Sequence, residues 1–410
     1  MTKTSALFQG LCLAAGLCLC PAAALAAEIP ANSPAIHYEG RWQEEADGSR
    51  AAAQGAVYIK AAFTGTKVSV KLRDGNNRWL VTIDGQPAKK ITAAKAGQPT
   101  LLAENLPAGS HALRLERATE GLYGISHFDG LITDSADLTD SAGSNSSPAL
   151  KAASAKSAPS IRSQNSRLST TKKLRLEFVG DSITAGFRND GQKRGRNDAD
   201  IEDGSMSFAP QLARRLGADY SVLAKSGEGV VHNWGAAWPD KGLHTEERYR
   251  WTFFGGAKVK GNTLWQSEKL PVDAVIIAMG TNDFSDKKRR PYHNEYVKAY
   301  LSLIRTVHAM NPQASILCLE PLPAMITPVA GLWIEEACRT AAAEGLPVSY
   351  LPLNSHGPLL APEDFVGDGT HPTKAGSAKL ADFLLSHVVS LPSVQACHPC
   401  FRLHQVRQDY

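Results

Sequence analysis

Apolar residues follow two different rhythms along this chain, and the change between them divides it in two. Over residues 38–134 they recur in short alternating runs, as in Val57-Tyr58-Ile59, Val68-Ser69-Val70-Lys71-Leu72, Leu80-Val81-Thr82-Ile83 and Ala112-Leu113-Arg114-Leu115. A period of two puts Val68, Val70 and Leu72 on one face of a strand. Turn residues at Asp74-Gly75-Asn76, Asp84-Gly85 and Ala108-Gly109 separate the runs, so this half reads as an antiparallel sandwich with little helix. From residue 174 the pattern changes to unbroken apolar strands alternating with helical spacing. The strands are Leu174-Arg175-Leu176-Glu177-Phe178-Val179, Val222-Leu223, Val275-Ile276-Ile277-Ala278-Met279 and Ile316-Leu317-Cys318-Leu319. The helices are expected over 208–216, 296–310, 332–343 and 375–388, with Gly217 stopping the first. Strands apolar on both faces, separated by amphipathic helices, predict a parallel sheet covered on both sides. In such a sheet a ligand sits beyond the carboxyl ends of the strands.

Between residues 135 and 170 serine, alanine, asparagine and proline dominate and large apolar residues nearly vanish. A stretch of that composition buries too little surface to offset the ordering of its backbone. The expected organisation is therefore a leader over 1–27, a β-sandwich over 35–135, a Ser/Ala-rich linker or surface insertion over 136–171, an α/β/α domain with a central parallel sheet over 172–391, and a tail over 392–410.

The leader is read as an export signal because Lys3 precedes a largely apolar run and Ala24-Leu25-Ala26 suits signal peptidase. The chain is thus expected to be periplasmic or secreted, with no integral membrane domain once the signal is cleaved near Ala27. The 44 basic and 40 acidic residues nearly cancel, at a net charge of +4, which argues against a nucleic-acid partner. Three of the seven cysteines lie in the leader, leaving Cys318, Cys338, Cys397 and Cys400. Cys397-His398-Pro399-Cys400 has a redox-like spacing but no following amphipathic helix, so an incidental or structural disulfide is the favoured reading there.

Three polar clusters end apolar strands or precede the closing helix: Gly180-Asp181-Ser182-Ile183-Thr184, Gly280-Thr281-Asn282-Asp283 and Asp368-Gly369-Thr370-His371-Pro372. A tight turn after a buried strand can lift the Ser182 hydroxyl above the sheet and aim backbone N–H groups at a developing oxyanion, where the Asn282 amide can join them. A serine hydroxyl needs a base, which His371 supplies, and Asp368 three residues earlier can orient the imidazole and stabilise its cation. Pro372 is expected in the first turn of the closing helix. This chemistry is acyl-ester hydrolysis and calls for no metal or organic cofactor.

With Ser226-Gly227-Glu228-Gly229-Val230 as a further block, these clusters resemble, in order, the four motifs of the SGNH or GDSL-like hydrolase family. The first half, through Gly40-Arg41-Trp42, the run 63–70 and Val81-Thr82-Ile83-Asp84-Gly85, is similar to the jelly-roll domain that precedes the hydrolase in carbohydrate esterase family 2. The likeness spans roughly residues 38–391. It implies Ser182 as nucleophile, His371 as base, and the Ser182 and Gly229 amides with Asn282 as oxyanion hole. Some relatives lack the acid that Asp368 supplies here, and the polar stretch after residue 135 is longer than the family pattern. The resemblance further implies an acetylated polysaccharide or oligosaccharide as substrate, with His232, Asn233, Trp234, Trp238 and Trp265 lining a sugar cleft; core packing is the alternative for Trp265. Competing readings are a peptidoglycan O-acetylesterase, a short-chain lipase or thioesterase, and a noncatalytic glycan-binding protein.

Overall fold

A computed structural model of the chain describes residues 26–94, 98–135, 172–191, 198–286, 288–323 and 327–397. The leader to residue 25, nearly all of the Ser/Ala-rich stretch, Lys287 and Cys400 lie outside them.

The alternating half folds as two facing antiparallel sheets. Their strands are β1 (Ala27–Pro30), β2 (Ile36–Glu39), β3 (Gln43–Glu44), β4 (Arg50–Ala52), β5 (Tyr58–Thr64), β6 (Val68–Arg73), β7 (Arg78–Ile83), β8 (Lys89–Thr92), β9 (Pro99–Ala103), β10 (Ser110–Arg117) and β11 (Ser126–Thr133). One sheet runs β3-β4-β11-β6-β9, with β1 also paired to β11, and the other β2-β5-β10-β7-β8. Ile59, Phe63, Val68, Val70, Leu72, Trp79, Leu113, Leu115 and Phe128 fill the space between them, so the period of two delivers the predicted face. The sandwich begins upstream of residue 35, because β1 pairs with β11 from Ala27↔Thr133 to Pro30↔Gly130.

The second half is a five-stranded sheet, parallel throughout, built from β12 (Arg175–Gly180), β13 (Asp219–Ala224), β14 (Ala274–Ala278), β15 (Ser315–Leu319) and β16 (Val348–Leu351) in the order β13-β12-β14-β15-β16. Its helices are α1 (Ser182–Ala185), α2 (Phe208–Arg215), α3 (Thr245–Tyr249), α4 (His293–Met310), α5 (Thr327–Ala343), α6 (Lys374–Val389) and α7 (Pro392–Cys397). Alternate strand residues serve opposite faces. Leu176, Phe178 and Ile276 pack with α2 and α6 residues such as Leu212 and Leu380, whereas Val179, Val275 and Ile277 pack with Leu303 and Ile304 of α4 and Ile334 of α5. Val394 of α7 is buried in the first of these clusters, so this core reaches past residue 391. The chain enters at β12, adds β13 on one side and β14 on the other, and so places a topological switch point at the carboxyl end of β12.

A seam of buried polar contacts fastens the domains together. Tyr58 Oη and Lys60 Nζ donate to Asp219 at 2.7 and 2.5 Å, Arg114 and Glu116 both bond the Tyr220 hydroxyl, and Arg41 pairs with Glu177 of β12 at 3.3 Å. Among the described residues no helix is long and apolar enough to cross a membrane. Cys318, Cys338 and Cys397 are free thiols, and Cys397 Sγ sits 3.2 Å from Asp273 Oδ1.

Candidate active site

Each of the four motif loops leaves a strand end or enters a helix at the switch point, and their side chains converge there. The turn after β12 is tight: a Cβ on Gly180 would stand 1.9 Å from Thr184 Oγ1, so only glycine fits. Asp181 caps the short α1, accepting the Ile183 N–H at 2.9 Å, and Ser182 opens the helix. Its Oγ lies 2.7 Å from His371 Nε2, and His371 Nδ1 lies 2.6 Å from Asp368 Oδ2. Asp368 Oδ1 also accepts the Thr370 and His371 amides, both at 2.9 Å. Burial works to raise the Asp368 carboxyl, but the bonds from His371 and the two amides outweigh it and hold the group well below the usual carboxylate range. Phe187 meets the imidazole edge-on, with ring centroids 5.1 Å apart.

Pro372 is not in the first turn of α6 as the sequence predicted. Thr373 caps that helix, accepting the Gly376 N–H at 3.0 Å, and Pro372 precedes the cap, bridged to Phe365. A proline ring suits both places, and the threonine hydroxyl decides the boundary.

The groups expected as oxyanion donors differ in how free their hydrogens are. Asn282 gives one amide hydrogen to the Glu228 carbonyl at 2.7 Å and has only a 3.4 Å contact with Asp181 for the other. The Ser182 amide has no acceptor among the described residues. Gly229, by contrast, donates its N–H to Asn233 Oδ1 at 3.1 Å. Two residues earlier, Gly227 has φ +78° and an N–H with no acceptor among the described residues. The free amide of this loop therefore belongs to Gly227. The buried Asp283 carboxylate gathers the Val230, Val231 and His232 amides at 3.0, 2.8 and 3.0 Å, which fixes the loop beyond it.

The residues assigned to a sugar cleft separate into two groups. Trp234 is 71% exposed beside Gly227, whose carbonyl accepts its N–H at 2.8 Å, and Trp238 is 37% exposed. Tyr292, which the sequence reading did not single out, is also exposed and meets Trp238 edge-on at 6.3 Å. His232 is instead buried beneath Trp238, with ring centroids 5.3 Å apart. Asn233 has its amide nitrogen on Asp240 and the Leu243 carbonyl and its oxygen on Gly229, so it shapes the loop rather than facing a ligand. Trp265 is half-buried, with its ring 5.3 Å from the Arg41 guanidinium.

Glu228, wholly buried between the two glycines, is pushed up to about 7 by burial, with Arg248 and Lys225 pulling the other way. Arg248 Nε stands 3.2 Å from its Oε1 without hydrogen-bond alignment. Since the folded value exceeds the unfolded one, the stability Glu228 contributes is complete below its ordinary pKa and is lost as pH rises through about 7. The urea midpoint is expected to fall between about pH 5.5 and about pH 8.5, and to fall less in Glu228→Gln. Equal falls in both proteins would refute the assignment.

Two family models match the chain: one described as carbohydrate esterase 2 N-terminal over residues 38–141, and one as GDSL-like lipase/acylhydrolase family over residues 178–379. The chain is 27% identical over 303 residues to an acetylxylan esterase / glucomannan deacetylase of Cellvibrio japonicus, covering 71% of each. It is 29% identical over 297 residues to the cellulase/esterase CelE of Acetivibrio thermocellus, covering 70% of this chain but 31% of that one. Among solved structures, a family two carbohydrate esterase from Clostridium thermocellum in complex with cellohexaose superposes with a TM-score of 0.68 at 25% identity, over 86% of this chain and 98% of that one. One from Cellvibrio japonicus gives 0.71 at 20% identity over 90% and 98%, a likeness of fold.

Proposed function

The chain belongs to carbohydrate esterase family 2, and from that premise we propose that it is an exported serine esterase removing O-acetyl groups from polysaccharide or oligosaccharide. The observation that carries the reading is the line of contacts from Asp368 through His371 to the Ser182 hydroxyl, at 2.6 and 2.7 Å. Ser182 Oγ attacks the acetyl carbonyl carbon while His371 Nε2 takes the hydroxyl proton. The oxygen of the tetrahedral intermediate receives the Ser182 and Gly227 amides and the Asn282 hydrogen that otherwise makes the long 3.4 Å contact with Asp181. Collapse of the intermediate breaks the bond to the sugar oxygen, which leaves with the proton from His371. Water, deprotonated by the same imidazole, then attacks the acetyl-serine; the bond to Ser182 Oγ breaks, His371 returns the proton to that oxygen, and acetate leaves. The covalent intermediate replaces one high barrier with two lower ones. Export rests on the apolar leader and its Ala24-Leu25-Ala26 site.

Trp234, Trp238 and Tyr292 support a carbohydrate rather than a lipid substrate, because they are exposed aromatic faces, Trp234 next to Gly227 and Trp238 against Tyr292, on which a sugar ring can stack. The purified protein is expected to release acetate from acetylated xylan or mannan and to lose catalytic efficiency as the acyl group of simple esters lengthens. Acetate release confined to O-acetylated peptidoglycan would assign the same chemistry to an envelope glycan. Higher efficiency on an octanoyl than on an acetyl ester would sink the deacetylase reading in favour of a lipase.

A further inference from the structure

A buried carboxylate from the sandwich domain meets the loop that follows β13, and no step of the hydrolysis uses it as an acid or base. Glu120 follows β10 and has no exposed surface. Its Oε2 accepts the Ser226 N–H at 2.6 Å, and its Oε1 accepts the Ser226 hydroxyl. Ser226 is thus held at both its backbone and its side chain by one residue 106 positions away in another domain. The next residue is Gly227, and the peptide joining the two carries the free N–H of the loop. With the peptide planar, only ψ of Ser226 turns that N–H relative to the two anchored groups. The chain then leaves through Gly227 at φ +78°, a left-handed value that favours glycine. The Gly227 carbonyl is tied in turn to the Trp234 amide at 2.8 Å. The direction of the Gly227 N–H is inherited from where Glu120 stands.

Glu120 is itself held firmly. The Arg117 guanidinium, fully buried, donates to the Thr119, Glu120, Gly124 and Ala52 carbonyls at 3.0, 3.0, 2.7 and 2.9 Å. The Glu120 N–H donates to Glu202 Oε1 at 2.5 Å, and Gly204 N–H donates to the Ala118 carbonyl at 2.7 Å, both across the seam. A Cβ at Gly55 would come within 3.3 Å of the Glu120 Cα, so the sandwich backbone closes on this residue from behind.

We propose that Glu120 is a positioning residue of the esterase site, which aims the Gly227 N–H at the oxyanion by anchoring Ser226, so that the sandwich is a working part of the active site. The proposal rests on the esterase reading above. A donor that is present but misdirected helps the transition state and leaves ground-state binding alone, so the loss belongs in kcat and not in KM.

The test uses the full mature protein, an aryl acetate, and a phosphonate that mimics the tetrahedral intermediate. Glu120→Ala is expected to lower kcat by about 10- to 100-fold, somewhat less than outright removal of an oxyanion donor. Its KM should stay within about twofold of wild type, with phosphonate inactivation slowed in parallel with kcat. Glu120→Gln should recover most of the loss, because its amide oxygen accepts the Ser226 N–H and its nitrogen donates to Ser226 Oγ. Unchanged kcat in a folded Glu120→Ala protein would overturn the proposal, as would a loss in KM alone. If Glu120→Ala does not fold, Ser226→Ala decides by the same split: a fall in kcat at constant KM supports the anchor, and wild-type kcat overturns it. Ser182→Ala runs alongside. An inactive wild type, or an active Ser182→Ala protein, removes the esterase reading and the Glu120 role together, whereas normal wild-type turnover with an unaffected Glu120→Ala removes only the latter.

Discussion

Replacing Ser182 with alanine is expected to lower kcat on an acetyl ester by about 10^6-fold, the scale on which loss of a triad serine acts in well-studied hydrolases. The size follows from the lack of a substitute. Thr184 is only two residues on, but its Oγ1 lies against Gly180 and has no hydrogen-bond partner among the described residues. Binding of an acetylated oligosaccharide should survive, because the exposed Trp234, Trp238 and Tyr292 faces are untouched. His371→Ala should lose a comparable factor, and the double variant should be no worse than either single one, since serine and imidazole act as a unit. The measurement is turnover beside calorimetric binding, with circular dichroism to check the fold. Wild-type turnover in Ser182→Ala would remove both the nucleophile and the mechanism.

The parts of this site that the sequence revealed are those encoded over a few residues. Continuous apolar strands report burial on both faces, and a polar cluster at the end of such a strand faces solvent, so Ser182 and Asn282 could be placed together, with His371 before the closing helix, before any contact was known. The short β1 to β4 were not legible, because two to four residues give too little alternation to rise above their surroundings. Gly227 and Gly229 are indistinguishable locally, as both flank Glu228. Which amide stays free is decided by the Asn233 side chain, which takes the Gly229 hydrogen. The contacts of Trp265 with Arg41 and of Glu120 with Ser226 were not legible for a different reason, since each joins residues far apart in sequence. Contacts over more than a hundred residues leave no trace in periodicity or spacing.

Changing Asp368 to asparagine is expected to leave KM nearly unchanged and to lower kcat by about 10^2- to 10^4-fold, the upper figure being that for a fully enclosed triad acid. The two Asp368 oxygens do different work. Oδ1 holds the Thr370 and His371 amides, and an asparagine oxygen can take over that task, so the loop should keep its shape. The asparagine nitrogen then faces His371 Nδ1 and donates a hydrogen to it, where the carboxylate had accepted one. The neutral imidazole must carry its proton on Nε2, pointing at Ser182 Oγ, and can no longer accept the serine proton. The side chain of Asp368 is 38% exposed, so water can compensate part of the lost charge, and the effect should fall below that of Ser182→Ala. Burial, which disfavours the charged carboxyl, is outweighed by the bonds from His371 and the two amides, so Asp368 is ionised throughout the neutral range. The stability it adds through those bonds is present above its unfolded value and is lost only as pH falls through the depressed folded one. Acid sensitivity of the wild type near neutrality would therefore not report on this residue. Single-turnover acetylation with a chromogenic acetate separates the steps, because both acetylation and deacetylation need the imidazole as base and both should slow. Wild-type rates in Asp368→Asn would mean that the Ser182 and His371 pair works without its acid, as in relatives that lack it.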